Sequence, residues 1–158
     1  MTQSRPILVA TLGALIVAAL GGFASQPGEW YANLDKSNLT PPDWVFAPAW
    51  TIIYATSVAA AVHGWRDAVY ASQKTWLIIL FILNGTLNVI WSVLFFALQR
   101  PDWALYEVVA LWISVAALIA LLRKITTIGA LILIPYLIWV LFAAYLNFQV
   151  VAMNSPFG

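Results

Sequence analysis

An all-α integral membrane protein, a bundle of five transmembrane helices with a long lid-like loop between the first two, is the fold class this sequence predicts. Three observations carry it. First, 63% of the residues are apolar, only 8% are charged, and the mean hydropathy is +0.90, whereas soluble domains carry about a quarter charged residues. Second, five apolar windows can be drawn, at residues 7–24, 44–65, 76–98, 103–122 and 128–151. Each is close to the roughly 20 residues that a helix needs to cross a bilayer. Third, the windows use up most of the 158 residues, so residues 1–158 form one membrane domain with no room for a soluble one.

The first window carries Ala10, Ala14, Ala18 and Gly22 at four-residue spacing, a small ridge that lets a neighbouring helix approach closely in lipid. A basic start at Arg5 and the small residues of Gly22-Phe23-Ala24 also suit a signal peptide. The apolar run exceeds the usual 7–15 residue core of such a peptide, which favours an uncleaved helix. Gly21-Gly22 and Pro27-Gly28 are expected to end it, and a loop over residues 25–43 follows, long enough to act as a lid or binding loop. From Gly28 to Trp50 runs GEWYANLDKSNLTPPDWVFAPAW, a density of aromatic rings and prolines that lipid does not require. Pro42 or Asp43 suits the first turn of the second span, and Pro101-Asp102 repeats that signal before the fourth. Pro135, inside the fifth window, removes a backbone hydrogen bond and predicts a kink that opens space toward the bundle centre.

Charge orients the bundle. Arg5, Arg66, Lys74, Arg123 and Lys124 fall on one face and Lys36 and Arg100 on the other, so the positive-inside rule expects a cytoplasmic N-terminus and an external C-terminus. Several chemistries are excluded. With no cysteine there are no thiolates, disulfides or Cys-bound metals. His63 is a lone histidine near a helix end with no partner placed for catalysis or metal binding, and neither a phosphate loop nor a basic nucleic-acid surface is present. Glu107 is the acid that could enter the membrane, about a turn and a half into the fourth span, and its depth is shallow enough to expect that it reaches the interface.

Helical spacing sorts the remaining unusual side chains into stripes. Phe46, Trp50 and Tyr54 share a face of the second span, Asn84, Asn88, Trp91 and Phe95 a face of the third, and Pro135, Trp139, Ala143 and Asn147 a face of the fifth. A cavity between such faces would be apolar and aromatic, with amides to orient a ligand. Trp44, Trp65, Trp76 and Trp103 sit at window ends and are assigned as interfacial anchors. Trp50, Trp91 and Trp139 lie deeper, and spacing alone leaves them open between lining a ligand and plain packing. Asn88 and Asn147 are equally open between ligand contact and interhelical hydrogen bonds.

Four motifs in order carry a resemblance: WYxxLxK at Trp30–Lys36, PPxWxFxPxW at Pro41–Trp50, LNxxWxxxFF at Leu87–Phe96, and PYLxWxxFAxxLN at Pro135–Asn147. Over about Gly22 to Asn154 the chain resembles the TspO/MBR family of tryptophan-rich sensory and translocator proteins, also called peripheral benzodiazepine receptors. The resemblance implies a five-helix bundle whose pocket opens beneath the first loop. Its implied ligands are porphyrins and other tetrapyrroles, with protoporphyrin IX or haem bound as ligand and no cofactor required, and in some members sterols and benzodiazepine-type drugs. Carried over by motif, the pocket takes in Trp30, Tyr31, Pro41, Trp50, Asn88, Trp91, Trp139, Phe142 and Ala143; the stripes add Phe46, Tyr54 and Asn84. Ser37 follows Lys36 where the family has Lys-Pro, Leu39 replaces a common aromatic residue, Asn84 replaces a typical Gln, and no basic residue follows Tyr145 within five positions.

The resemblance leaves three functions in competition. The first is tetrapyrrole sensing or transport from a bacterial cell envelope. The second is light- and oxygen-dependent porphyrin breakdown, with Trp50 and Trp139 as redox partners. The third is a non-enzymatic scaffold that acts through partners, as a homodimer.

Overall fold

The computed structural model describes residues 4–157, and no strand occurs among them. The predicted domain, 1–158, extends past these residues at both ends; residues 1–3 and 158 lie outside the described part. Five helical segments are long and apolar enough to cross a membrane: Ser4–Ala24, Asp43–Asp67, Ala71–Ala97, Pro101–Arg123 and Thr127–Asn154. The first is helix α1. Within the following loop Glu29–Ala32 forms a single helical turn, α2, and a 3-10 turn at Asp43–Val45 leads into α3, Phe46–Asp67. Then come α4 (Ala71–Ser92), whose last turn widens into a π turn at Val93–Ala97, and α5 (Pro101–Arg123). The fifth span is two helices, α6 (Thr127–Ile132) and α7 (Ile134–Asn154).

Helix α5 is the packing axis, contacting α4, α6 and α7. Its buried face, Val108, Leu111, Val115, Leu118 and Leu122, meets Leu77 of α4, Ala60 of α3, and Leu133, Tyr136 and Val140 of the fifth span in one cluster. Side chains at i, i+3, i+4 and i+7 fall on one helical face, which is why these positions form a continuous seam. Pro101 opens α5 at a position that needs no N–H donor, and Asp102 in its first turn accepts a hydrogen bond from Arg100 Nε at 2.8 Å.

Two boundary expectations are corrected. The third span starts at Ala71, five residues before Trp76, because Gln73 Oε1 accepts from the Val69 and Tyr70 N–H groups at 3.0 and 3.1 Å and so caps a polar first turn. Helix α1 runs through Gly21-Gly22 to Ala24, since an apolar helix retains its backbone bonds through glycine, and Ser25 N–H still donates to Gly21 O at 2.8 Å.

The small ridge of α1 is not what sets its closest approach to α4. Gly22 has open space beside it, whereas a Cβ on Gly85 of α4 would lie 2.8 Å from Val17 Cγ2. Gly85→Leu is therefore expected to push α1 away and cost about 1–3 kcal/mol of overpacking, read as a lower thermal midpoint in detergent. An unchanged midpoint would show that α1 is free to shift.

The kink expected at Pro135 falls at Leu133, a one-residue turn with αR backbone angles that divides α6 from α7. Proline offers Leu131 O no donor and its ring crowds that carbonyl, so the chain restarts with Pro135 in the first turn of α7, where no N–H is needed. The two halves then pack differently: α6 lies against α3 and α5, while α7 follows α5 and meets α3 at only a few points.

Candidate functional site: an aromatic cavity under a pinned lid

A cavity of about 460 Å³ occupies the half of the bundle beneath α2, within the range of ligand pockets. Its walls come from four spans. Helix α3 supplies Phe46, Ala47, Trp50 and Tyr54; α4 and its π turn supply Asn88, Trp91, Ser92, Phe95 and Phe96; α7 supplies Trp139, Phe142, Ala143, Leu146, Asn147 and Val150. Helix α1 contributes Ala18, Gly21 and Gly22, so the upper end of the small ridge faces the cavity rather than a packed neighbour. Polar groups gather at the mouth, where Ser25, Lys36, Thr40 and Asp43 line the opening.

The wall rings contact one another at ordinary aromatic geometries. Trp50 stacks on Tyr54 (5.7 Å, 28°) and meets Trp139 edge-on (6.4 Å, 81°), while Phe46 meets Trp139 from the other side (6.1 Å, 72°). Across the cavity Trp91 stacks on Phe95 at 5.2 Å. The π turn, closed by Leu98 N–H to Val93 O at 2.8 Å, puts the adjacent residues Phe95 and Phe96 on the same cavity, a re-aiming that such widened turns provide.

The lid is α2 with the segment after it. Trp30 and Tyr31 pack edge-on against Phe95 at 6.1 and 6.3 Å, and Tyr31 tilts on Phe96 at 5.5 Å. Lys36 Nζ donates to the carbonyls of Tyr31 (2.6 Å), Leu34 (3.0 Å) and Ala32 (3.4 Å), holding the exposed end of α2, and lies 4.6 Å from the Tyr31 ring centroid. Burial first, then the nearby Asp43 carboxylate, raise the Tyr31 phenol above its ordinary value, so it stays neutral through the physiological range. A second tie joins the lid to α7: Asp35 N–H donates to Asn154 Oδ1, and Asn154 Nδ2 donates back to Asp35 O, both at 2.8 Å.

Below the cavity lies a neutral polar chain. Tyr54 Oη donates to Asn88 Oδ1 (3.3 Å), Asn88 Nδ2 to Tyr136 Oη (3.3 Å), Tyr136 Oη to Asn84 Oδ1 (3.2 Å), and Asn84 Nδ2 to Ser114 Oγ (2.8 Å). It crosses α3, α4, α7 and α5 and satisfies amides that lipid could not. Higher up, Asn147 accepts from Trp91 Nε1 at 3.1 Å and donates to Pro101 O at 2.8 Å.

The structure brings Tyr31, Phe46, Trp50, Tyr54, Asn88, Trp91, Trp139, Phe142 and Ala143 together on the cavity. Three other sequence candidates stand outside the lining. Trp30 packs behind Tyr31 on Phe95, Pro41 belongs to the extended approach to α3, and Asn84 is buried one turn below Asn88 on Ser114 and Tyr136. Phe95 and Asn147 belong to the sequence stripes and line the cavity, and Lys36 and Phe96 were visible in motifs without a role. Glu107 departs from expectation: it turns inward, and both carboxylate oxygens are shut away from solvent with no hydrogen-bond partner among the described residues.

Five membrane-crossing helices, four of which wall this cavity, define an integral, multi-pass membrane protein. The sequence matches the TspO/MBR family over residues 8–153, and the chain belongs to that family. It is 33% identical to the tryptophan-rich protein TspO of Chlorobaculum tepidum, covering 98% of this chain and 99% of the relative. It is 32% identical to a tryptophan-rich sensory protein of Cereibacter sphaeroides, covering 98% and 95%, and 31% identical to the translocator protein of Sus scrofa, covering 92% and 90%.

Proposed function

We propose that the cavity binds tetrapyrroles such as protoporphyrin IX and that the protein acts in their sensing or transport. The observation that carries this reading is the cavity's make-up: flat rings of Trp50, Trp91, Trp139 and Phe95 around an apolar space, with charge confined to Lys36 and Asp43 at the mouth. Flat, polarizable walls suit a flat macrocycle, whose burial yields about 25 cal/mol per Å² of apolar surface. Its carboxylate-bearing edge then sits at the mouth, where Lys36 supplies positive charge. The basic residues at the end of the bundle away from the lid support a bacterial envelope orientation with the N-terminus cytoplasmic and the lid outside.

Titration with protoporphyrin IX is expected to quench tryptophan fluorescence saturably, and Trp50→Phe with Trp139→Phe to weaken affinity by about tenfold or more, some 1.4 kcal/mol. Unchanged affinity in the double variant sinks the pocket assignment. Flux of the same porphyrin into sealed vesicles separates transport from sensing.

A further inference from the structure

We propose that the seam between α3 and α7 is a lateral portal, through which an amphiphile dissolved in the adjacent bilayer leaflet enters the cavity. The proposal rests on the reading of the cavity as a ligand site and specifies how that ligand arrives.

Four observations carry it. Helix α3 packs closely along α6 but meets α7 at only a few points, so beyond the turn at Leu133 the two spans are not held together by backbone packing. What fills the gap is side chains, with Trp139 meeting Phe46 and Trp50 edge-on. Trp139 Nε1 is buried there without a partner among the described residues, so the closed seam leaves a donor unmet. Finally, Ala47 of α3 lines the cavity and is exposed, and the wall residue Ala143 of α7 is equally small, so neither helix closes the wall there with a large side chain. Between these two helices the cavity wall thus consists of side chains, among them a ring that can rotate.

The mouth lined by Ser25, Lys36, Thr40 and Asp43 is polar, and the lid beside it is held firmly. It is tied by the reciprocal Asp35–Asn154 hydrogen bonds and by Trp30 and Tyr31 on the π turn, so opening it requires a whole segment to detach. Opening the seam requires side-chain rotations, which are intrinsically faster. The chemistry of the cavity matches this path. Its charged groups, Lys36 and Asp43, lie at the lid and its aromatic walls below, the same order in which a leaflet presents headgroups and chains. An amphiphile entering sideways keeps its polar end level and never exposes its apolar body to water.

The chain has no cysteine, so introduced pairs report cleanly. Ala47→Cys with Ala143→Cys, and separately Asp35→Cys with Asn154→Cys, are each bridged with a reducible bifunctional thiol reagent in vesicles. Protoporphyrin IX exchange is followed by tryptophan quenching. A closed gate slows entry and exit alike, whereas a lost wall contact acts mainly on exit; bridging the seam is therefore expected to slow both at least about tenfold, reversibly on reduction. Bridging the lid is expected to change either by less than about twofold. Ala47→Trp, which crowds the seam without a bridge, should slow association and dissociation together.

Fast exchange through a bridged seam, or exchange stopped by a bridged lid, overturns the portal. A brominated fatty acid serves as second probe. If it exchanges as described while the porphyrin fails to bind, the portal stands and the tetrapyrrole reading falls; quenching by neither overturns both.

Discussion

Ala143→Phe is expected to reduce protoporphyrin IX affinity by about a hundredfold, equivalent to some 2.7 kcal/mol, with little loss of stability. Ala143 is half-buried on the wall of α7, one turn beyond Trp139, and faces space rather than a packed neighbour. A benzyl group there occupies volume the ligand needs. Overpacking a filled core costs about 1–3 kcal/mol, but an open cavity accepts the ring without moving its surroundings. The combination separates a binding role from a scaffold role: the thermal midpoint in detergent stays near that of the parent while quenching by the porphyrin disappears. A cellular phenotype that survives this substitution would mean that the protein acts through something other than its cavity.

Tyr136→Phe is expected to destabilise the bundle by about 1–3 kcal/mol although only one oxygen is removed. That oxygen accepts from Asn88 and donates to Asn84, and Tyr136 is 3% exposed, so its loss leaves two buried amide groups short of a partner. The figure stays modest because a helix separated within lipid also finds partners for its polar groups, which holds single interhelical bonds in membranes to about 0.6 kcal/mol on average. Chemical unfolding in mixed micelles measures the loss. The informative comparison is Tyr136→Phe combined with Asn84→Leu, which removes acceptor and donor together and should cost less than the sum of the two single changes. Strict additivity would show that the chain of hydrogen bonds is not a unit.

The five spans were legible because a bilayer imposes one demand, about 20 apolar residues, and composition answers it directly. The walls were legible for a similar reason: helical periodicity puts Phe46, Trp50 and Tyr54, or Asn88, Trp91 and Phe95, on one face whatever surrounds them. Periodicity says less about partners. Asn84 lies on the same stripe as Asn88, yet one turn of depth sends its amide to Ser114 and Tyr136 instead of the cavity. Pro135 announced a disruption, but whether a helix bends or breaks depends on what its two halves can pack against, and only the bundle contains α3 and α5. Trp30 shows the same limit in the loop: adjacent to Tyr31, it takes the outer side of Phe95, and no sequence rule distinguishes the two rings. Glu107 marks the same limit, because depth along a helix does not give direction around it.

The π turn at Val93–Ala97 has a consequence for insertions and deletions. A widened turn holds one residue more than an α-helical one, so the sequence before and after it is out of phase by about 100°. In most membrane helices a residue gained or lost near the end is absorbed by tilt. Here, dropping one would restore regular winding and rotate the Gln99 corner, whose φ is 53°, together with the entry into α5. Phe95 and Phe96 could then no longer share the cavity and the underside of the lid. Chain length around this turn is thus fixed by angular phase rather than by bilayer thickness, and a single-codon indel there should be tolerated far less than one in residues 37–40 of the loop.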